Sequence, residues 1–367
     1  FVALDLGPTG RLLKPMGDLE FETCVEIFAE VVRWGKEEGA DLVLIETMSD
    51  AMEAKAAVLA AKENSDLPVF VTVVFDEKGK TLTGGTVESV TAMLEGLRVD
   101  ALGVNCGLGP VQLYPIVKKL TEVCSIPIVV NPNAGLPHAK DGKTYYDLSA
   151  EEFSDEMKKI ASLGVQVLGG CCGTNPDFIR CLAETVAGGA ADRPARKKRK
   201  GLASPGRVAE YGKVNVIGER INPTGKKRLQ QALLEEDMGY IKKLAIAQQE
   251  AGAQVLDINV GAQGVDEAAI IPQVVKAVQS VVDLPLQIDS ANPTVIEAAL
   301  RVTNGRAIIN SVSGERARMD AIFPLAKHYG AAVLGLAMDE SGLPETAAQR
   351  VAIAERIVAE AETYGLD

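Results

Sequence analysis

Short apolar, β-branched runs recur along the chain, and each is followed by a longer stretch with helical periodicity. In the first half the runs cover residues 42–45, 69–75, 101–105, 128–131 and 165–170. In the second they cover 214–217, 255–260, 286–289, 307–310 and 332–337. The opening Phe1-Val2-Ala3-Leu4 has the same character, like the inside of a strand. Between the runs lie amphipathic stretches such as 23–38 and 240–251, closing on Glu-Gly-Ala or Ala-Gly-Ala. A glycine there is a helix C-cap signal placed just before the next strand. Strands alternating with helices, with few hairpin signals, predict parallel strands joined by right-handed crossovers.

The rhythm breaks between Ala187 and Lys213, where Gly188-Gly189, two prolines and the basic run Arg193-Pro194-Ala195-Arg196-Lys197-Lys198-Arg199-Lys200 fall together. Turn formers flank the run and no aromatic residues interleave it, so it reads as a solvated linker rather than a nucleic-acid patch. The expected organisation is a first domain over 1–187, a linker over 188–213 and a second domain over 214–367. A chain of 367 residues exceeds the size of a single core, in keeping with two domains.

Each α/β half could be a doubly wound sheet or a (β/α)8 barrel. The doubly wound reading wants a G-x-G-x-x-G loop after its first strand, and the sequence has none. Polar and small residues instead cluster after many strands, where a barrel places its active site. The fold class expected is therefore two tandem (β/α)8 barrels. With about five clear strands in each half, both are expected to be truncated in a chain that starts without methionine.

Composition narrows the function classes. The net charge is −12, with 50 acidic against 38 basic residues, which argues against a nucleic-acid backbone as partner. No apolar run reaches the ~18 residues of a membrane helix, and no secretory signal opens the chain, so a cytoplasmic protein without a membrane partner is expected. Six cysteines without a small-domain disulfide pattern read as intracellular thiols. With only His138 and His328 available, a metal site must rely on thiolates or carboxylates.

Three cysteines are placed for that role. Cys106 follows the run 101–105, and Cys171 and Cys172 follow 165–168 in Gly169-Gly170-Cys171-Cys172-Gly173-Thr174. If both strands belong to one parallel barrel, all three sulfurs emerge at its C-terminal rim. Three thiolates with a fourth position open suit zinc, whereas Cys24, Cys124 and Cys181 lie in helical stretches and read as core residues. A zinc-bound thiol is deprotonated at neutral pH, which suits alkyl transfer to a thiol substrate. Glu46 faces the same rim and could hold a substrate amine, and Asn131 and Asn133 could add amide contacts.

Gly103-Val104-Asn105-Cys106, followed by Gly169-Gly170-Cys171-Cys172-Gly173-Thr174, resembles the zinc-dependent homocysteine S-methyltransferases. Leu44-Ile45-Glu46-Thr47 and the stretch 131–135 match further parts of that family. The resemblance implies that Cys106, Cys171 and Cys172 bind zinc, that zinc binds the homocysteine thiolate, and that Glu46 and Asn133 contact the amino acid or the metal's surroundings. The family's opening Asp-Gly-x-x-Gly-Thr loop, which grips the substrate carboxylate, has no counterpart here. Residues 1–11 resemble a later strand, so roughly the first two strands are expected to be missing.

The second half ends its strands in carboxylates and amides instead of thiols. Glu219, Arg220, Asn222 and Thr224 follow the first run, Asp257 and Asn259 the second, Asp289 the third and Asn310 the fourth. Such groups can hydrogen-bond a flat heterocycle, although Asp and Asn also cap helices. From residue 214 onward these motifs resemble the pterin-binding barrels of methyltetrahydrofolate methyltransferases, including Phe323-Pro324-Leu325-Ala326 and Gly335-Leu336-Ala337-Met338. By that resemblance Asn222, Thr224, Asp289 and Asn310 contact the folate, while Glu219, Asp257 and Asn259 shape the rim. Acidic and amide groups near N5 would assist departure of its methyl group.

The two barrels in this order resemble the front half of the cobalamin-dependent methionine synthases. That family moves a methyl group from 5-methyltetrahydrofolate through cobalamin to homocysteine, giving methionine and tetrahydrofolate. Its cobalamin-binding module carries Asp-x-His-x-x-Gly, and neither His138 nor His328 lies in such a motif. A cobalamin-binding domain or corrinoid protein is therefore expected as a partner. The alternatives are a methyltetrahydrofolate–corrinoid protein methyltransferase of another one-carbon pathway, which leaves the three cysteines unexplained, and a fragment without activity.

Overall fold

The computed structural model describes residues 1–140, 142–189 and 201–366. Two compact units divide the chain, Phe1–Arg199 and Lys200–Asp367. The basic run at 193–200 lies outside the described residues.

The first unit holds strands β1 (Ala3–Leu6), β2 (Leu42–Met48), β3 (Val69–Val73), β4 (Ala101–Asn105), β5 (Ile128–Asn131), β6 (Pro137–Lys140), β7 (Lys143–Tyr146) and β8 (Val167–Leu168). Six of them form one parallel sheet in the order β1-β2-β3-β4-β5-β8, with β6 and β7 paired as a separate antiparallel hairpin. The second unit holds β9 (Gly201–Ala203), β10 (Val208–Glu210), β11 (Ile217–Ile221), β12 (Val255–Ile258), β13 (Leu286–Asp289), β14 (Ile308–Ser313) and β15 (Ala332–Leu336). Its five-stranded parallel sheet runs β11-β12-β13-β14-β15.

Both sheets keep strictly sequential strand order. A doubly wound sheet reverses direction at a switch point, and neither sheet does so. This is the singly wound, barrel-type repeat; among the described residues both sheets are open, and no ladder joins their edge strands.

Local chemistry explains the elements. The central strand β4 is buried along its whole length, as expected of a parallel strand covered on both faces. Gly103 in β4 crosses so close to β5 that a Cβ there would lie 1.7 Å from the Val129 carbonyl oxygen. The helix Ala51–Asn64 is buried on nearly every face and is started by the Asp50 side chain, which accepts from the Met52 N–H at 2.8 Å. Capping boxes open the helices Val87–Gly96, Ala150–Ala161 and Ala347–Thr363. No helix among the described residues is long and apolar enough to cross a membrane.

Three local expectations change. Of the run 214–217 only Ile217 is strand: Val214 is 91% exposed, and Asn215 donates to the Glu210 and Lys213 carbonyls. Strand β11 starts at Ile217, which puts Glu219 and Arg220 inside it rather than after it. Residues 201–210, within the stretch read as linker, form the β9–β10 hairpin, and Ala203 exchanges hydrogen bonds of 3.0 and 2.8 Å with Arg306 at the base of β14. The β6–β7 hairpin was also not anticipated, although Asp141-Gly142 is a strong two-residue turn signal.

Candidate functional site

In the first unit the polar groups gather where β2, β4 and β8 end. Cys106 follows β4 with φ of 55°, its N–H donating to the Asn131 carbonyl at 3.0 Å, so the chain turns out of the sheet at once. After β8, the Cys171 N–H donates to Pro132 at 2.8 Å, and the Cys172 carbonyl accepts from Ala134 at 2.9 Å. These bonds splay the adjacent cysteines. The Cys106 and Cys172 sulfurs lie 3.7 Å apart, the Cys171 and Cys172 sulfurs 4.0 Å, and all three fall within 4.8 Å of one another. Gly173, with φ of 84°, closes the turn, and a Cβ there would strike the Tyr146 ring at 2.3 Å.

The cluster is electrostatically primed. Hydrogen bonding from Cys171 pulls the Cys106 thiol down to about 5, helped by the Gly107 N–H, Cys172 and Asn133 and opposed by burial. Cys171 moves up in turn, because it shares its proton with Cys106 and is partly buried. Three converging sulfurs with one thiolate formed readily are a soft donor set that fits zinc.

Glu46 is brought to the same rim. Burial raises its carboxyl, and Asp5 and Cys106 add repulsion. The β2–β3 register shifts between Ile45 and Met48, and Thr47 takes φ of 63°, an outlier for a β-branched residue. Asn133 is only 4% exposed, and its Oδ1 accepts from the Cys172 N–H at 3.2 Å while its side chain also bonds Cys106. The amide is thus committed to holding cysteines.

Asn105, not among the residues the sequence singles out, joins this cluster as well. It is fully buried, and its Oδ1 accepts from the Thr47 N–H and the Thr72 hydroxyl, each at 2.9 Å. Its Nδ2 donates to Thr47 Oγ1 at 2.7 Å and to Cys171 Sγ at 3.8 Å. An amide ending an otherwise apolar strand was the available signal.

In the second unit Asp257, Asn259, Asp289 and Asn310 meet across three neighbouring strands. Asp289 and Asn310 are register partners, and Asn259 Nδ2 donates to Asp289 Oδ2 at 3.0 Å. Asp257 is 2% exposed and accepts from Gln287 Nε2 at 2.5 Å. Burial pushes its carboxyl up to about 6, with Asp289 and Glu219 adding to the rise and hydrogen bonds from Gln287 and Asn310 opposing it. Glu219 is exposed and pairs with Lys226 at 3.2 Å. Asn222 and Thr224 sit in the turn after β11, where Asn222 Oδ1 accepts from the Thr224 N–H at 3.1 Å, so this pair also serves turn chemistry.

A cysteine trio on one parallel sheet and a carboxylate–amide rim on another define a two-site α/β enzyme. Residues 1–186 match the homocysteine S-methyltransferase family, and the chain belongs to that family. Residues 218–367 match the pterin binding enzymes. The methionine synthase of Mycobacterium leprae (strain TN) is 32% identical over 387 positions, covering 100% of this chain and 32% of its own. That of Mycobacterium tuberculosis (strain ATCC 25618 / H37Rv) is 33% identical over 374, covering 98% and 31%. The chain therefore spans about a third of the length of these curated relatives. The apo homocysteine methyltransferase MmuM from Escherichia coli superposes with a TM-score of 0.42 at 23% identity, covering 50% of this chain and 62% of that one.

Proposed function

We propose that the chain supplies the two substrate sites of a methyl transfer from 5-methyltetrahydrofolate to homocysteine, yielding tetrahydrofolate and methionine. The carrier between them is cobalamin on a cobalamin-binding domain or corrinoid protein. The single observation that supports this reading best is the convergence of three cysteine sulfurs within 4.8 Å beside Glu46.

Cys106, Cys171 and Cys172 would hold zinc, which supplies Lewis acidity that keeps a bound thiol deprotonated at neutral pH. Asn133 and Asn105 orient the cysteines, and Glu46 offers a carboxylate to the substrate amine. In the second unit Asp289 and Asn310 present an acceptor and an amide to the folate, together with Asn222 and Thr224. Asn259 fixes the Asp289 carboxylate, while Asp257 and Glu219 shape the rim. Asp257 has a carboxyl raised to about 6, so it can share a proton near neutral pH and assist a leaving amine.

The test is homocysteine methylation with methylcobalamin supplied as donor. The Cys171→Ser variant should lose it; activity that survives the substitution sinks the thiolate mechanism.

A further inference from the structure

Arg318 lies in the helix Arg316–Tyr329 and is none of the residues assigned above to a substrate. Its guanidinium nevertheless bonds the main chain just after both Asp289 and Asn310, which present the folate rim. Nη2 donates to the Ser290 carbonyl at 3.0 Å and to Ser311 at 3.1 Å, Nε donates to Ser311 at 3.3 Å, and Nη1 donates to Ala291. Ser290 and Ala291 directly follow Asp289, and Ser311 directly follows Asn310. The same two segments touch each other through the Ser290 N–H, which donates to the Asn310 carbonyl at 3.2 Å.

All four bonds end on main-chain carbonyl oxygens. A planar fork of fixed donors can tie several carbonyls together at one geometry, which a flexible ammonium cannot reproduce. Such a tie sets where the residue just before each tied segment points. Here those residues are Asp289 and Asn310, which are also register partners.

We infer that Arg318 is a positioning residue for folate: it locks the main chain just after Asp289 and Asn310 so that carboxylate and amide keep one spacing toward the pterin ring. The inference rests on the folate reading of this rim. A purely architectural arginine would stabilise the unit without altering ligand affinity, whereas a positioning arginine changes affinity even where the fold survives.

The experiment measures methyltetrahydrofolate dissociation constants and thermal midpoints for the intact enzyme and its Arg318→Lys, Arg318→Met, Asp289→Asn and Arg318→Lys/Asp289→Asn variants. Both Arg318 substitutions should weaken folate by at least about tenfold, with lysine failing to rescue. In the double variant the losses should fall short of multiplying, because Arg318 acts through Asp289. Folate affinity unchanged in Arg318→Lys, or losses that simply multiply, overturns the inference and leaves the folate site standing. Unchanged affinity in Asp289→Asn removes the folate reading and the inference with it.

Discussion

Asn105 Nδ2 lies 3.8 Å from Sγ of Cys171, while the same amide oxygen holds the strained Thr47 N–H at 2.9 Å. One buried side chain thus couples Cys171, a proposed zinc ligand, to the bulge beside Glu46. Replacing Asn105 with alanine strands the Thr72 hydroxyl and releases both Thr47 and Cys171. Metal affinity should fall by roughly 10–100-fold, the usual scale for losing a group that orients a ligand. Competition with a chromogenic chelator reads this directly, and an unchanged affinity removes Asn105 from the site.

On the folate side, Asp289 offers a charged acceptor held by Asn259 at 3.0 Å. Asp289→Ala should weaken methyltetrahydrofolate by at least about tenfold, or ~1.4 kcal/mol, the scale of one charge-assisted hydrogen bond. Calorimetric titration checks it, and an affinity matching the parent refutes the assignment.

Asp257 makes a pH signature. Its carboxyl is raised in the folded protein to about 6, so the folded state binds the proton more tightly than the unfolded chain. Its contribution to stability is complete below about pH 4, the unfolded value, and is lost as pH rises through about 6. Asp257→Asn removes that loss. The thermal midpoint of the variant, relative to the parent, should therefore be higher at pH 7 than at pH 4. A gap that stays constant with pH contradicts the cause given for the shift.

Gly103 tests the packing of the first sheet. With the Val129 carbonyl 1.7 Å from any Cβ, Gly103→Ala forces β4 and β5 apart. A loss of roughly 3 kcal/mol or more is expected, at the upper end of overpacking costs, because backbone rather than a flexible side chain must move. Urea unfolding monitored by circular dichroism reads it.

The parallel βα rhythm was legible because apolar runs such as 101–105 and 286–289 coincide with strands buried on both faces. The cysteine trio was legible as well, because two strand ends of one parallel sheet must share a rim. What the pattern could not show was commitment. Asn133 is expected from the sequence to contact the amino acid or the metal's surroundings, and its amide bonds Cys172 and Cys106. Asn105 reads as a strand terminus, yet its worth depends on Thr47, 58 residues away. Val214 looks like a strand residue, but the Asn215 side chain ties its neighbourhood to the Glu210 and Lys213 carbonyls, while Val216 already reaches β12 through its own carbonyl. Side-chain bonds across long sequence separation have no periodicity, and they decided the Asn133 and Asn105 cases.

The central claim is that Cys106, Cys171 and Cys172 form a zinc site that activates a thiol substrate. It is tested most directly by elemental analysis of the reduced, folded protein beside its Cys171→Ser variant. The account predicts about one zinc per chain in the parent, lost in the variant. A folded, reduced parent that holds no zinc would contradict it, leaving the three sulfurs as packing groups and the carboxylate–amide rim as the remaining site.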